Sequence, residues 1–320
     1  MTTLRPRAWA LALAAGLLLA LAPAAAAAPA AQKGSKADLP QPVQRLLFKT
    51  TADAKGNKVE LHLDVFLPEG HKATDKRPAI VFFFGGGWVG GSPSQFYSQA
   101  AYLASRGMVA LAAEYRVGKT HGTTPKECVA DGKSAIRYVR SHAAELGIDP
   151  DRLAAGGGSA GGHVAAATAT VTAFDEPGED TATSAVPNAL VLFNPVYDNG
   201  PEGYGYDRVK DYWRQISPLQ NIRKGMPPAI VWLGTQDKLI PVATAKAFQA
   251  EMQRLGSRSD LLLYEGEGHG FFNSGRGSSE NYAKTVREMD AFLTSLGWLK
   301  AQPAPAAGGE GGEKDAGQGG

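Results

Sequence analysis

Short, continuous apolar runs alternate along the chain with segments whose apolar residues recur every three to four positions. The runs predict strands at Val59–Phe66, Ile80–Phe84, Val109–Tyr115, Leu153–Gly157, Leu190–Val196, Ile230–Gly234 and Leu261–Tyr264. Several of these are apolar almost throughout, as strands covered on both faces of a parallel sheet must be. Leu61, Leu63 and Val65 instead alternate with polar neighbours, which predicts an antiparallel edge. Val242, Ala245, Phe248, Met252 and Leu255 fall on one stripe of a helix, and so do Tyr282, Val286, Met289, Phe292 and Leu296. Strands alternating with helices predict α/β architecture, a single doubly wound domain with a mainly parallel central sheet. There is no internal repeat.

The two ends depart from this pattern. Arg5 and Arg7 precede an apolar run from Ala8 to Leu21, followed by small-residue sites between Ala22 and Ala30. That order predicts a secretory signal peptide over residues 1–28, with cleavage after Ala24, Ala28 or Ala30. The run is shorter than the roughly 20 residues of a spanning helix, so the expectation is export to the periplasm or medium with no membrane segment retained. Residues 301–320 are mostly Gly, Ala, Pro and Glu with no large apolar side chain, and are expected to be a disordered tail. The folded domain is therefore expected over residues 40–300.

Charge narrows the function classes. With 33 Lys+Arg against 31 Asp+Glu, the net charge is +2, and Arg5 and Arg7 of the export signal account for it. No basic cluster marks a nucleic-acid surface. The single cysteine, Cys128, forbids an internal disulfide, and its helical neighbours Val129, Ile136 and Val139 mark it as a small buried hydrophobe. Glycine is in excess: 39 of 320 residues, against an average usage of about 7%.

Ten of those glycines sit in two clusters. In Gly156-Gly157-Gly158-Ser159-Ala160-Gly161-Gly162-His163, the spacing Gly157, Ser159, Gly161 is G-x-S-x-G, directly after a predicted strand and before an Ala-rich helix. A strand-to-helix turn tight enough to lift a serine above a sheet leaves no room for larger neighbours, and the following helix offers free N–H groups to developing negative charge. The second cluster, Gly85-Gly86-Gly87-Trp88-Val89-Gly90-Gly91, follows the strand Ile80–Phe84. Its amides can approach an oxyanion closely, so the Gly86 or Gly87 N–H, together with the Ala160 N–H, is the expected oxyanion hole. A phosphate-binding loop fits less well, because neither G-x-G-x-x-G nor a Walker lysine is present.

These residues resemble the α/β-hydrolase esterases, near the acetylxylan/feruloyl esterase and hormone-sensitive-lipase groups. The resemblance also rests on Leu63-Asp64-Val65-Phe66-Leu67-Pro68, Glu114-Tyr115-Arg116, Gly147 to Arg152 and Ser217-Pro218-Leu219. Hormone-sensitive-lipase relatives carry His before the three glycines, where this chain has Phe84, which places the polysaccharide-esterase resemblance ahead. The resemblance implies the chain order Ser, acid, His. His62, His71, His121 and His142 precede Ser159, and His163 lies on its own helix, where it is expected to pack or cap locally. His269, in a His-Gly-Phe sequence, is then the implied base. Asp237, in Gly234-Thr235-Gln236-Asp237-Lys238-Leu239-Ile240-Pro241, is the implied acid, with Asp198 as its competitor.

The resemblance thus implies a serine esterase acting through an acyl-enzyme, needing no metal or cofactor. Its expected substrates are small acyl esters, foremost acetyl or feruloyl groups on plant polysaccharide. A general short-chain esterase or lipase, a prolyl-oligopeptidase-like peptidase and an inactive binding protein are the alternatives. Residues 197–228 are expected to form a small cap insertion, with Trp88, Tyr204, Tyr206 and Trp213 available to stack on a sugar or aromatic acyl group.

Overall fold

The structure, a computed structural model, describes residues 39–275 and 278–302. The expected signal segment, and the tail beyond residue 302, lie outside the described residues. Eight strands form one sheet: β1 (Gln44–Ala52), β2 (Lys58–Phe66), β3 (Arg77–Phe83), β4 (Val109–Ala113), β5 (Ile148–Gly158), β6 (Ala189–Phe193), β7 (Ala229–Gly234) and β8 (Ser259–Tyr264). Their order is β1-β2-β4-β3-β5-β6-β7-β8. Pairings β1–β2 and β2–β4 are antiparallel. From β4 to β8 all neighbours run parallel.

Alternation along the parallel strands sends successive side chains to opposite faces. Val81 and Phe83 of β3 join Leu153 of β5 and Val231 of β7 on the face covered by α3 (Pro125–Ser141), α4 (Ala160–Thr170) and α7 (Val242–Arg254). Ile80 and Phe82 join Val191, Phe193 and Trp232 on the other face, beneath α1 (Tyr97–Ser105) and α8 (Ser279–Ser295). Both faces are therefore buried, which is why these strands read as unbroken apolar runs. Each large apolar side chain sealed in this way contributes about 1.5–3 kcal/mol.

One strand departs from the sequence reading. β2 is not the edge; β1 pairs outside it. β1 gave little hydrophobic signal because its one buried side chain is Lys49, which donates to Asp131 of α3 (2.6 Å) and to Glu176 (2.8 Å). Arg116 grips the same two carboxylates, at 2.8 Å to Asp131 and 2.9 Å to Glu176. The outer strand is thus tied on by ion pairs where a hydrophobic pattern would be sought.

The stretch 197–228 holds two single-turn helices, α5 (Tyr206–Val209) and α6 (Trp213–Ile216), and a 3-10 turn at Pro218–Asn221. A further single-turn helix, α2, covers Gly118–His121. Among the described residues no helix is long and apolar enough to cross a membrane. Cys128 is fully buried, its thiol donating to the Arg116 carbonyl (3.1 Å), and burial pushes the thiol pKa well above its ordinary value.

Candidate active site

Parallel neighbours bring their carboxyl ends to one edge of the sheet, where the loops that follow them meet. Because β3 and β5 pair directly, with Phe83 opposite Gly157, the loop after β3 lies beside the turn after β5. That turn holds Ser159 at φ 54, ψ −121, a conformation rare for a residue with a Cβ. The turn survives because Ser159 N–H donates to the Phe193 carbonyl (3.0 Å), while its own carbonyl accepts from His163 N (3.0 Å) and Val196 N (3.2 Å). Gly161 is required by close approach: a Cβ there would meet the Phe83 carbonyl oxygen at 2.1 Å.

Within the β3 loop, Gly85 N–H donates to Gln95 Oε1 (2.6 Å), which pins the Phe84–Gly85 peptide at the start of the loop. Gly86 has φ 131, and a Cβ on it would lie 2.0 Å from the Gly90 carbonyl oxygen. Phe84 explains the departure from His at that position: its ring stacks on Tyr115 with centroids 4.2 Å apart, and its carbonyl accepts the Tyr115 hydroxyl (2.5 Å). Among the described residues nothing accepts from the Gly86 or Gly87 N–H. The Ala160 N–H, in the first turn of α4, has no intrahelical partner.

His269 follows β8 and Asp237 follows β7. His269 Nδ1 lies 2.7 Å from Asp237 Oδ2, and Nε2 lies 2.9 Å from Ser159 Oγ. An ionised carboxylate only accepts, so Nδ1 carries the proton and Nε2 is free to accept from the serine hydroxyl. The Asp237 side chain is fully buried, and that burial opposes its ionisation. Hydrogen bonds from His269 and from the N–H groups of Ile240 (3.0 Å) and Leu239 (2.8 Å) outweigh it and hold the carboxyl below its ordinary pKa. Asp198 is elsewhere, accepting from Gly200 N–H (2.8 Å) and Gln220 Nε2 (3.2 Å).

Side chains that the sequence reading passed over hold these loops together. Asn194, fully buried at the end of β6 with φ 32, accepts the Gly270 N–H on Oδ1 (3.0 Å). Gln95 Nε2 donates to Asn273 Oδ1 (2.8 Å), and Asn273 Nδ2 donates to the Gly270 carbonyl (2.7 Å). The loop after β3 is thereby linked to the histidine loop. Asn194 carried a legible signal, one polar residue directly after an apolar strand; Gln95 and Asn273 carried none.

A cavity of about 390 Å³ opens over Ser159 and His269, walled by Gly85 to Gly87, Tyr204, Arg208 and Phe272, with Val89 and Leu239 exposed at its rim. Of the four aromatic residues expected to meet substrate, only Tyr204 lines it. Trp88 is 2% exposed, and its positive φ of 60 is followed by an indole turned inward, whose N–H donates to His163 Nδ1 (3.3 Å). Trp213 packs on the small core of Val129, Val171 and Ile216, and Tyr206 lies outside the wall. These three are corrections: the Trp88 ring is turned onto His163 beneath the glycine loop, the Trp213 ring seats the insert on the body, and Tyr206 is absent from the cavity wall. His163 is wholly buried, donating Nε2–H to the Ile216 carbonyl (3.1 Å). Burial lowers its pKa to about 4.

An eight-stranded, mostly parallel sheet whose strand ends assemble a serine, a histidine and an aspartate defines the α/β-hydrolase class. Residues 63–194 match the BD-FAE family and residues 199–302 the dienelactone hydrolase family. Esterase 2 of Thermogutta terrifontis superposes with a TM-score of 0.77 at 46% identity, covering 81% of this chain and 96% of that one. Esterase LipC of Mycobacterium tuberculosis is 34% identical across 62% of this chain and 54% of its own length. The acetylxylan esterase of Xylanibacter ruminicola is 27% identical across 83% of this chain and 52% of its own length. The chain spans about half the length of the curated relatives it matches. It belongs to the α/β-hydrolase esterases.

Proposed function

We propose that the protein is an exported serine carboxylesterase that hydrolyses small acyl esters, with acetyl or feruloyl groups on plant polysaccharide as its natural substrate class. The observation that carries the reading is the continuous hydrogen-bonded line Asp237, His269, Ser159, at 2.7 and 2.9 Å, beneath an open cavity. His269 Nε2 takes the Ser159 proton as Oγ attacks the ester carbonyl, and Asp237 stabilises the imidazolium that forms. Gly86 or Gly87 N–H and Ala160 N–H receive the oxyanion, each donor lowering the barrier by about 2.7–4 kcal/mol. His269 then protonates the leaving alcohol, and water, deprotonated by the same nitrogen, releases the acid and restores the serine.

A 390 Å³ cavity with Phe272 in its wall suits a short acyl chain. Esterase 2 of Thermogutta terrifontis is described in a propionate-bound form, which supports the same size class. The likeness to an acetylxylan esterase supports the saccharide assignment, and Arg5, Arg7 and the apolar run after them support export.

The test is hydrolysis of 4-nitrophenyl acetate, butyrate and decanoate beside acetylated xylan and methyl ferulate. Acetate and butyrate should exceed decanoate, acetyl or ferulate should be released, and Ser159→Ala should lower kcat about 10⁴-fold or more. Asp237→Ala should lower it severely where Asp198→Ala does not. Turnover of none of these esters would reject the reading, and a decanoate preference would reject the short-chain assignment.

A further inference from the structure

We propose that Arg208 makes this site selective for esters that bear a carboxylate near the scissile bond; the proposal rests on the esterase reading above. Arg208 stands in the same cavity wall as Ser159 and His269. One of its N–H groups, on Nη1, donates to the Gly87 carbonyl at 2.7 Å, so the guanidinium sits directly on the glycine loop. Its carbon lies 5.9 Å from the Trp88 ring centroid and 5.8 Å from that of Tyr204, which orients its plane without neutralising its charge.

No carboxylate among the described residues forms an ion pair with Arg208; two other exposed arginines, Arg214 and Arg287, share this lack, and of the three Arg208 alone stands in the cavity wall. The cavity wall contains no Asp or Glu at all. Asp237, the nearest acid in the site's hydrogen-bonded line, is buried behind His269 and fully engaged by it and two backbone N–H groups. The cavity wall therefore carries one positive charge, solvent-exposed and tethered to the glycine loop through Nη1, with several of its five donors unused. A planar fork of that kind is matched by a carboxylate, which can accept two parallel hydrogen bonds. A merely structural arginine, pinning the glycine loop through Gly87, would affect all esters alike, and that difference is measurable.

The carboxylate can belong to the acyl part or to the alcohol, and two substrate pairs separate these sources. Monomethyl succinate against methyl butyrate tests the acyl side, and 4-acetoxybenzoate against methyl 4-acetoxybenzoate tests the alcohol side. The quantity read is the charged-to-neutral ratio of kcat/KM in wild type, Arg208→Met and Arg208→Lys. In at least one pair the ratio should fall about 10- to 100-fold in Arg208→Met, mainly through KM, with Arg208→Lys between them. Added salt should lower the wild-type ratio in the same pair. An unchanged ratio in both pairs, with neutral esters still hydrolysed, overturns the role of Arg208 and leaves the esterase reading intact. Failure of the wild type on every ester overturns both.

Discussion

Ser159 is held in a backbone state that costs of order 1–3 kcal/mol, and three backbone hydrogen bonds keep it there. Its residue type and flanking glycines were legible because the turn admits nothing larger. His269 and Asp237 were legible only through chain order and strand ends, since a histidine or aspartate in a loop carries no pattern of its own. Trp88, by contrast, misled: an aromatic beside a glycine loop reads as a substrate platform, whereas here its N–H is spent on buried His163. That pair has a thermodynamic consequence. Protonating His163 Nδ1 would set it against the Trp88 indole N–H, donor against donor, and burial further disfavours the charge. With a folded pKa of about 4 against an ordinary 6.5, the unfolded chain binds a proton that the folded protein refuses throughout that window. Stability is thus expected to fall as pH drops from about 6.5 towards 4, by on the order of 3 kcal/mol. Urea denaturation across this range measures it, and a His163→Gln variant that kept the same slope would refute the assignment.

At the scale of elements, the site depends on how closely α4 approaches the end of β3. Gly161 in the first turn of α4 lies against the carbonyls of Phe83 and Phe84, where a Cβ would come within 2.1 and 2.4 Å. Gly161→Ala should therefore push α4 and the serine away from the glycine loop. We expect a loss of about 2–3 kcal/mol in stability, with kcat falling further than KM changes. Denaturation and steady-state kinetics on one preparation check both, and a variant with native stability and turnover would show that the elements do not touch as described. Most elements were legible in periodicity: both amphipathic helices and the parallel strands lie where the apolar pattern put them, with ends shifted by a few residues. β1 was not, because it is held by Lys49 where a hydrophobic face was sought.

Across the whole molecule, that ion-pair cluster ties the outer strand to α3 and to the segment containing Glu176. Asp131 faces both Lys49 (2.6 Å) and Arg116 (2.8 Å) from a fully buried position. Removing it leaves two cations in the interior with only Glu176 between them. Asp131→Ala is expected to cost about 3–5 kcal/mol of unfolding free energy, a loss a denaturation midpoint would reveal. The fold class followed from strand–helix alternation, while the order of the strands, and so the meeting of Gly86, Ser159, Asn194, Asp237 and His269 at one edge, required the structure.

If Ser159 is the nucleophile, an organophosphate that mimics the acylation step should become bonded to its Oγ. Esterase 2 of Thermogutta terrifontis is phosphorylated by paraoxon. Paraoxon titrated into this protein should abolish turnover of 4-nitrophenyl acetate in proportion to one diethylphosphoryl group per chain, found by peptide mass spectrometry on Ser159. Full activity with Ser159 modified, or inactivation with the group on another residue, would show that Ser159 is not the nucleophile.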